Sequence, residues 1–160
     1  MTINYAKSSC MCIGPRCDIN CANIVSLSGE SIFRVREMRY LGIFLTRSSV
    51  FSCSINFARR SFYRCANAIF GKVARLASQE TILQLIKTKC VPMLLYGLEV
   101  CPLKQRDIRS LDFCVNKFLV KLFRTSDINV VEVCRDMFNF DLPITLANRT
   151  GKFMDKYAIL

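Results

Sequence analysis

The chain has 160 residues, which is enough for one hydrophobic core but short for a two-domain enzyme. Its composition is 52% hydrophobic, which excludes a disordered chain. The formal net charge of +11 predicts an acidic partner, either nucleic acid or an anionic membrane surface. A basic domain without such a partner is the alternative.

Short strands are predicted in residues 1–50, where Ser, Gly, Asn and Cys are frequent. Residues 32–36 and 40–45 are rich in β-branched and aromatic side chains, which favours two strands. Gly29 separates the apolar runs 24–27 and 32–35, so a hairpin is expected there. Residues 1–25 contain Lys7, Arg16 and Asp18 and no continuous apolar run, so no secretion signal is expected.

Without secretion, the ten cysteines are expected to be thiols in the cytosol or nucleus and not a disulfide framework. Four thiolates can hold a tetrahedral zinc ion, but the chain has no His and its first Cys pair is spaced C-x-C. Buried thiols are therefore favoured, with zinc as the alternative. The densest group is Cys10, Cys12, Cys17 and Cys21.

A one-sided cationic helix is predicted over residues 52–77, which hold five basic residues and no acidic one. Its candidate nucleic-acid-binding residues lie opposite or beside the apolar stripe, at spacings that can follow a phosphate backbone. A solvated basic face is the alternative. The predicted stripe is Ile55, Ala58, Phe62, Cys65, Ile69, Val73 and Leu76, and the candidate residues are Arg59, Arg60, Arg64, Asn67 and Arg75.

Further helices are predicted in the remainder of residues 51–160. Ser78 is a candidate N-cap of a helix that runs to Pro92, and a third helix is expected at residues 105–123. Asp127 is expected to cap a fourth helix, and Pro143 suits the first turn of a fifth. The predicted fold class is therefore mainly α, with a small β-containing region before a helical bundle.

The apolar run at residues 91–98 is too short to cross a membrane, which takes about 18 to 20 apolar residues. A core helix kinked or broken at Pro92 is expected instead. Glu99 ends the run, and a carboxylate there is costly to bury alone. Pairing with a Lys or Arg, or capping of nearby amides, is favoured over an acid/base role.

The sequence offers little for catalysis. The absence of His excludes the common general base, and no glycine-rich phosphate loop is present. No two aspartates are adjacent, whereas two-metal phosphoryl transfer needs carboxylates held close together. We therefore expect that this chain is not an enzyme and uses no cofactor.

Several stretches, in order, resemble the late part of the reverse transcriptase of LINE-type non-LTR retrotransposons. INYAKS (residues 3–8) resembles the family's N-x-x-K-S/T element, and RYLGI (residues 39–43) its YLG hairpin. KCVPMLLYGLE (residues 89–99) resembles the stretch K-C-x-P-x-L-L-Y-G-x-E, and NKF (116–118) and KLFRT (121–125) continue the similarity.

The resemblance implies a palm remnant in residues 1–50 and a thumb-like region in residues 51–160. It implies that Lys7 corresponds to a lysine near the incoming nucleotide, and that Tyr40 and Gly42 contact primer. The helix at 52–77 would pack against template–primer. The family's Asp-Asp motif and its Mg²⁺ site would precede Asn4, so a truncated or degenerate copy without catalysis is expected.

The expected partner is RNA or an RNA–DNA duplex, bound weakly and without sequence preference, with no membrane partner. The alternative function is a vestigial helical protein-interaction fragment with no nucleic-acid role. Apolar faces between Phe51 and Phe123 that packed on the missing palm would then favour self-association.

Overall fold

The computed structural model describes residues 4–19, 22–26, 29–73 and 76–158. The chain divides into two compact units, Met1–Ser54 and Ile55–Leu160. Among the described residues, the strands all lie in the first unit, and the second contains helices and turns. The prediction of a mainly α protein with a small β part is confirmed.

The first unit, called the β unit below, contains two three-stranded sheets with orders β1-β3-β2 and β4-β5-β6. β1 pairs with β3 in parallel, and the other pairs are antiparallel. Each strand has only two to four residues. The strands are β1 (Ser9–Cys10), β2 (Ile24–Val25), β3 (Ser31–Arg34), β4 (Glu37–Tyr40), β5 (Ile43–Thr46) and β6 (Cys53–Ser54).

Two hairpins shape the β unit. The hairpin predicted around Gly29 is confirmed: β2 pairs with β3, and the Ser26 amide donates to the Glu30 carbonyl at 2.8 Å. The strand predicted at residues 40–45 is confirmed from Ile43 onward, but it is not continuous, because Tyr40 ends β4. Leu41 and Gly42 have φ values of 47° and 88° and turn the chain between β4 and β5. Positive φ at both central residues is typical of tight hairpin turns.

The second unit, called the helical unit, is built from amphipathic helices. The predicted N-caps are confirmed, because the side chains of Ser78 and Asp127 accept hydrogen bonds from the amides of Thr81 and Asn129. The helix expected at 105–123 is also confirmed. The helices are α1 (Asn56–Val73), α2 (Gln79–Leu85), α3 (Val91–Leu95), α4 (Gln105–Phe123), α5 (Ile128–Met137) and α6 (Leu142–Tyr157).

Helix α1 is shorter than the predicted helix at 52–77. It begins after β6, which occupies Cys53–Ser54. Leu76 was predicted on the apolar stripe but lies beyond the helix and is exposed, so this assignment is wrong. Phe62 and Ala66 are the fully buried members of the helix.

The predicted break at Pro92 is a π-helical turn, Ile86–Cys90, that joins α2 to α3. The Val91 amide donates to the carbonyl of Ile86, five residues earlier. Proline has no N–H, and the wider turn places it in the first turn of α3, where none is needed. The helical path therefore continues to Leu95, past the predicted end at Pro92.

Helices α3 and α4 each bury an apolar face in the core of the helical unit. Leu94 and Leu95 are fully buried, which confirms that the apolar run at 91–98 is a core helix. Helix α4 buries the face that its spacing predicted: Leu111, Cys114, Val115, Phe118, Leu119 and Leu122. Within the described part of the chain, no helix combines the length and the apolar content that a membrane crossing requires.

Candidate nucleic-acid interface

Helix α1 presents a row of polar side chains to solvent. Arg60, Arg64 and Asn67 are exposed and follow one another at intervals of four and three residues, so they share one face of the helix. This face lies away from Phe62, which is fully buried. The sequence of α1 contains no acidic residue that would neutralise the row.

Arg59 occupies a different position from the other candidate residues of α1. It is half-buried, and its Nε donates to the Sγ of Cys114 on α4 at 3.4 Å. The same thiol contacts Tyr63, whose pKa is raised to about 12, chiefly by burial and then by its hydrogen bond with Cys114. The guanidinium of Arg59 is thus part of the contact between α1 and α4 and is separate from the exposed row.

Helix α4 borders the exposed row of α1. The Nζ of Lys121 donates to the Oδ1 of Asn67 at 3.3 Å and lies 4.7 Å from the ring centre of Phe70. Three contacts join α1 to α4: Arg59 to Cys114, Phe62 to Phe118, and Asn67 to Lys121. The contacts follow one another in the same order along both helices, so α1 and α4 run in roughly the same direction.

Lys117 lies one turn before Lys121 and is also exposed, so both lysines project from the same side of α4. The hydrogen bond between Lys121 and Asn67 joins this side to the exposed row of α1. Two helices therefore supply one continuous polar surface. We call Arg60, Arg64, Asn67, Lys117 and Lys121 the cationic surface.

The cationic surface carries little opposing charge. None of the described carboxylates lies within ion-pair distance of its four cations. Asp112, the last acidic residue of α4, is paired with Arg135 on α5, whose NH2 group lies 2.8 Å from its Oδ1. Phe113, which lies one turn before Lys117, is 59% exposed and adds an aromatic ring beside the cations. Such a surface can hold phosphates and stack bases.

The remaining candidate residues lie in the β unit or outside the described residues. Tyr40 is exposed at the end of β4, and Gly42 lies in the turn that follows, so these two are neighbours. Lys7 is exposed in a single 3₁₀ turn before β1 that the Asn4 side chain caps. Arg75 lies outside the described residues.

Lys117 and Lys121 were not predicted as site residues from the sequence. Their signal was present, because they and Arg124 recur at intervals of four and three along a stretch without acidic residues. What the sequence did not supply was the neighbour of this row, which only the packing of α1 against α4 defines.

Most of the described cysteines are free thiols: Cys10, Cys12, Cys17, Cys65, Cys90, Cys114 and Cys134. Cys53 and Cys101 are not among these free thiols, which corrects the expectation that every cysteine is a thiol. In residues 4–19, 22–26, 29–73 and 76–158, no three side chains of His, Cys, Asp or Glu come together as metal ligands. Cys21, the fourth member of the predicted cluster, lies outside these ranges.

Glu99 lies in a 3₁₀ turn, Leu98–Val100, after the core helix. Its Oε2 is buried and has no hydrogen-bond partner among the described residues. The favoured expectation for this carboxylate, pairing or amide capping, is therefore wrong for this oxygen atom.

In comparisons with protein-family models, with curated proteins and with solved structures, none matches this chain.

Proposed function

We propose that the helical unit binds nucleic acid through the cationic surface, by contacts to phosphates and without reading sequence. The observation that supports the proposal is the hydrogen bond between Asn67 and Lys121, which unites the cations of α1 and α4 on one side of the unit. Four cations on two adjacent helices suit the repeating charge of a nucleic-acid backbone.

The resemblance to LINE-type reverse transcriptases favours RNA or an RNA–DNA duplex as the ligand, in the cytosol or nucleus. In that family the corresponding helix would lie against template and primer. The proposal is for binding and not for catalysis, because no two aspartates are adjacent in the sequence and two-metal chemistry needs carboxylates held close together.

The test is a variant in which Arg60, Arg64, Lys117 and Lys121 are all changed to Gln. Glutamine keeps much of the side-chain length and the helix propensity, so the fold should be retained. We expect affinity for a short RNA–DNA hybrid to fall at least about tenfold at ~0.1 M salt. The slope of log affinity against log salt should fall by up to ~0.9 for each phosphate that the variant no longer neutralises, about equally for hybrids of different sequence.

The matched control changes four exposed cations outside the cationic surface to Gln: Lys104, Arg106, Lys152 and Lys156. Both variants lower the net charge by the same amount, so only the placement of charge differs. If the two variants bind alike in fluorescence anisotropy titrations, binding follows net charge and the cationic surface is a solvated face. If the wild type does not bind the hybrid, the proposal fails.

A second candidate function, protein contact or self-association, is supported by exposed apolar side chains late in the chain. Val133 and Met137 on α5 are exposed, as are Phe153 and Tyr157 on α6, whose rings stack at 6.3 Å. Contiguous exposed apolar side chains promote association. A monomer at all concentrations in light scattering under reducing conditions would rule out self-association.

A further inference from the structure

A cavity of about 450 Å³ opens beside the cationic surface, between the end of α1, the start of α2 and the end of α4. Phe70, Ile82 and Leu122 give it apolar walls, and Gln79 and Arg124 add polar groups. Its size falls in the range of small-molecule sites, where a few polar groups are set in an apolar lining.

One contact links this cavity to the cationic surface. The ammonium of Lys121, which bonds to Asn67, also lies over the ring of Phe70 at 4.7 Å. Phe118 packs against Phe70 with the two rings nearly perpendicular and their centres 6.3 Å apart. The aromatic wall of the cavity therefore lies directly beside a cation that we assign to phosphate binding.

We propose that the cavity receives an unpaired nucleobase from a strand whose phosphates lie on the cationic surface. This inference rests on the proposed function and adds the class of ligand: nucleic acid with a single-stranded end or gap. A base offers an aromatic face to Phe70 and hydrogen-bonding edges to Gln79, while the adjoining phosphate faces Lys121 and Arg124. Bases inside a duplex are stacked on one another and cannot enter.

The position of Gly71 allows the cavity to be closed by mutation. Gly71 lines the cavity on α1, and a Cβ added there meets no heavy atom within 4 Å. Gly71→Leu adds a branched side chain at the wall of the cavity, and Gly71→Ala is the matched control with a single methyl group. Both replace glycine by good helix formers, so neither should weaken α1.

The experiment compares three ligands that share one RNA–DNA hybrid: blunt, with a short single-stranded tail, and with a tail of equal length made of abasic residues. The two tails carry the same phosphates, so their difference reports on bases alone. We expect the wild type and Gly71→Ala to bind the base-containing tail about tenfold more tightly than the abasic tail. Gly71→Leu should lose this difference and keep the affinity for the blunt hybrid.

Four outcomes overturn the inference, and they are distinguishable. Equal affinity of the wild type for both tails, with the blunt hybrid still bound, removes the base site and leaves the proposed function standing. No binding to any of the three ligands overturns both. A base preference that survives Gly71→Leu locates base recognition elsewhere. A tail containing 2-aminopurine gives an independent readout in the wild type, because stacking should quench its fluorescence on binding, and unchanged fluorescence contradicts the inference.

Discussion

The β unit and the helical unit differ in how they bury their side chains. In the described part of the β unit, Cys17 is the one buried hydrophobic residue, and Phe33 on β3 is 66% exposed. From Ile55 onward, buried side chains come from every helix, and Phe62 and Leu111 are inaccessible to solvent. The comparison indicates that the helical unit carries its own hydrophobic core, whereas the β unit relies on short backbone pairings.

The physical reason lies in the length of the elements. Strands of two to four residues offer few side chains for one face of a sheet, and small sheets without a buried face are marginally stable. Helices of 18 and 19 residues, such as α1 and α4, present several turns of apolar side chains to each other. We therefore expect most of the stability of the chain to reside in the helical unit.

The largest effect is expected from truncating the centre of the helical core. Phe62 is fully buried and packs edge-to-face on Phe118 with ring centres 6.5 Å apart. Phe62→Ala should lower the free energy of unfolding by ~3–5 kcal/mol. Phe33→Ala removes the same atoms from an exposed site on β3 and should cost about 0.5 kcal/mol or less.

Urea unfolding measures the loss of stability in Phe62→Ala and in Phe33→Ala. Unfolding is monitored by the circular dichroism signal of the helices, because that signal reports on the helical unit. Equal losses of stability for Phe62→Ala and Phe33→Ala would show that Phe33 is buried in solution and that the two units do not differ as described. Separate transitions in near- and far-ultraviolet signals would show that the units unfold independently.

Local sequence signals predicted much of this fold. Ser78 and Asp127 identified helix starts because a cap depends on a few adjacent residues. Local pattern alone missed the turn at Leu41 and Gly42, because Leu rarely adopts positive φ and the run 40–45 gave the pattern of one strand. The resemblance of residues 39–43 to the YLG hairpin did imply a turn there. Helical periodicity alone also extended the predicted first helix through Leu76, but the side chain of Leu76 is exposed.

The candidate site was only half predictable for a related reason. Helical spacing selected Arg60 and Arg64 correctly as exposed cations. It could not show that Arg59 contacts Cys114 or that Lys121 reaches Asn67, since both contacts join residues more than fifty positions apart. Periodicity defines the faces of one helix, whereas a surface shared by two helices depends on tertiary packing.

A smaller loss of stability is expected from changing polar side chains. Here a buried and an exposed arginine, both in the helical unit, are compared. Arg135 on α5 holds both carboxylate oxygens of Asp112 at 2.8 Å and 2.9 Å, and also donates to Asn116 and to the Phe140 carbonyl. Its side chain is only 14% exposed. Arg135→Gln should therefore destabilise the unit by ~1.5–3 kcal/mol, because it leaves a largely buried carboxylate poorly paired.

Arg106→Gln is the control for Arg135→Gln. Arg106 lies 3.6 Å from Asp107 but is 80% exposed, so solvent screens the pair and its removal should cost about 0.5 kcal/mol or less. The stabilities of the two variants are compared by their urea unfolding midpoints, provided that the free energy of unfolding depends equally on urea concentration in both. Equal costs would show that Arg135 is solvated like Arg106 and does not join α4 to α5.

The smallest effect concerns thiol reactivity, which compares the two units without changing the sequence. Cys90 is buried in the helical unit, and its pKa is raised from 9.0 to about 12, first by burial and then by its hydrogen bond with Cys65. The raised pKa lowers the thiolate fraction of Cys90 at pH 8. Cys12 in the β unit is half-exposed, so iodoacetamide should modify it well before Cys90, as mass spectrometry of the peptides would show.

The pH dependence of this reaction follows from the sign of the shift. Because folding raises the pKa of Cys90, the protonated thiol contributes stability below pH 9, and that contribution is lost as pH rises through about 12. Between pH 8 and pH 10, Cys90 should therefore stay unreactive in the folded protein, and urea should bring its rate close to that of Cys12. If Cys90 in the folded protein reacts as fast as Cys12, the π-helical turn opens readily, and the core of the helical unit is no better protected than the β unit.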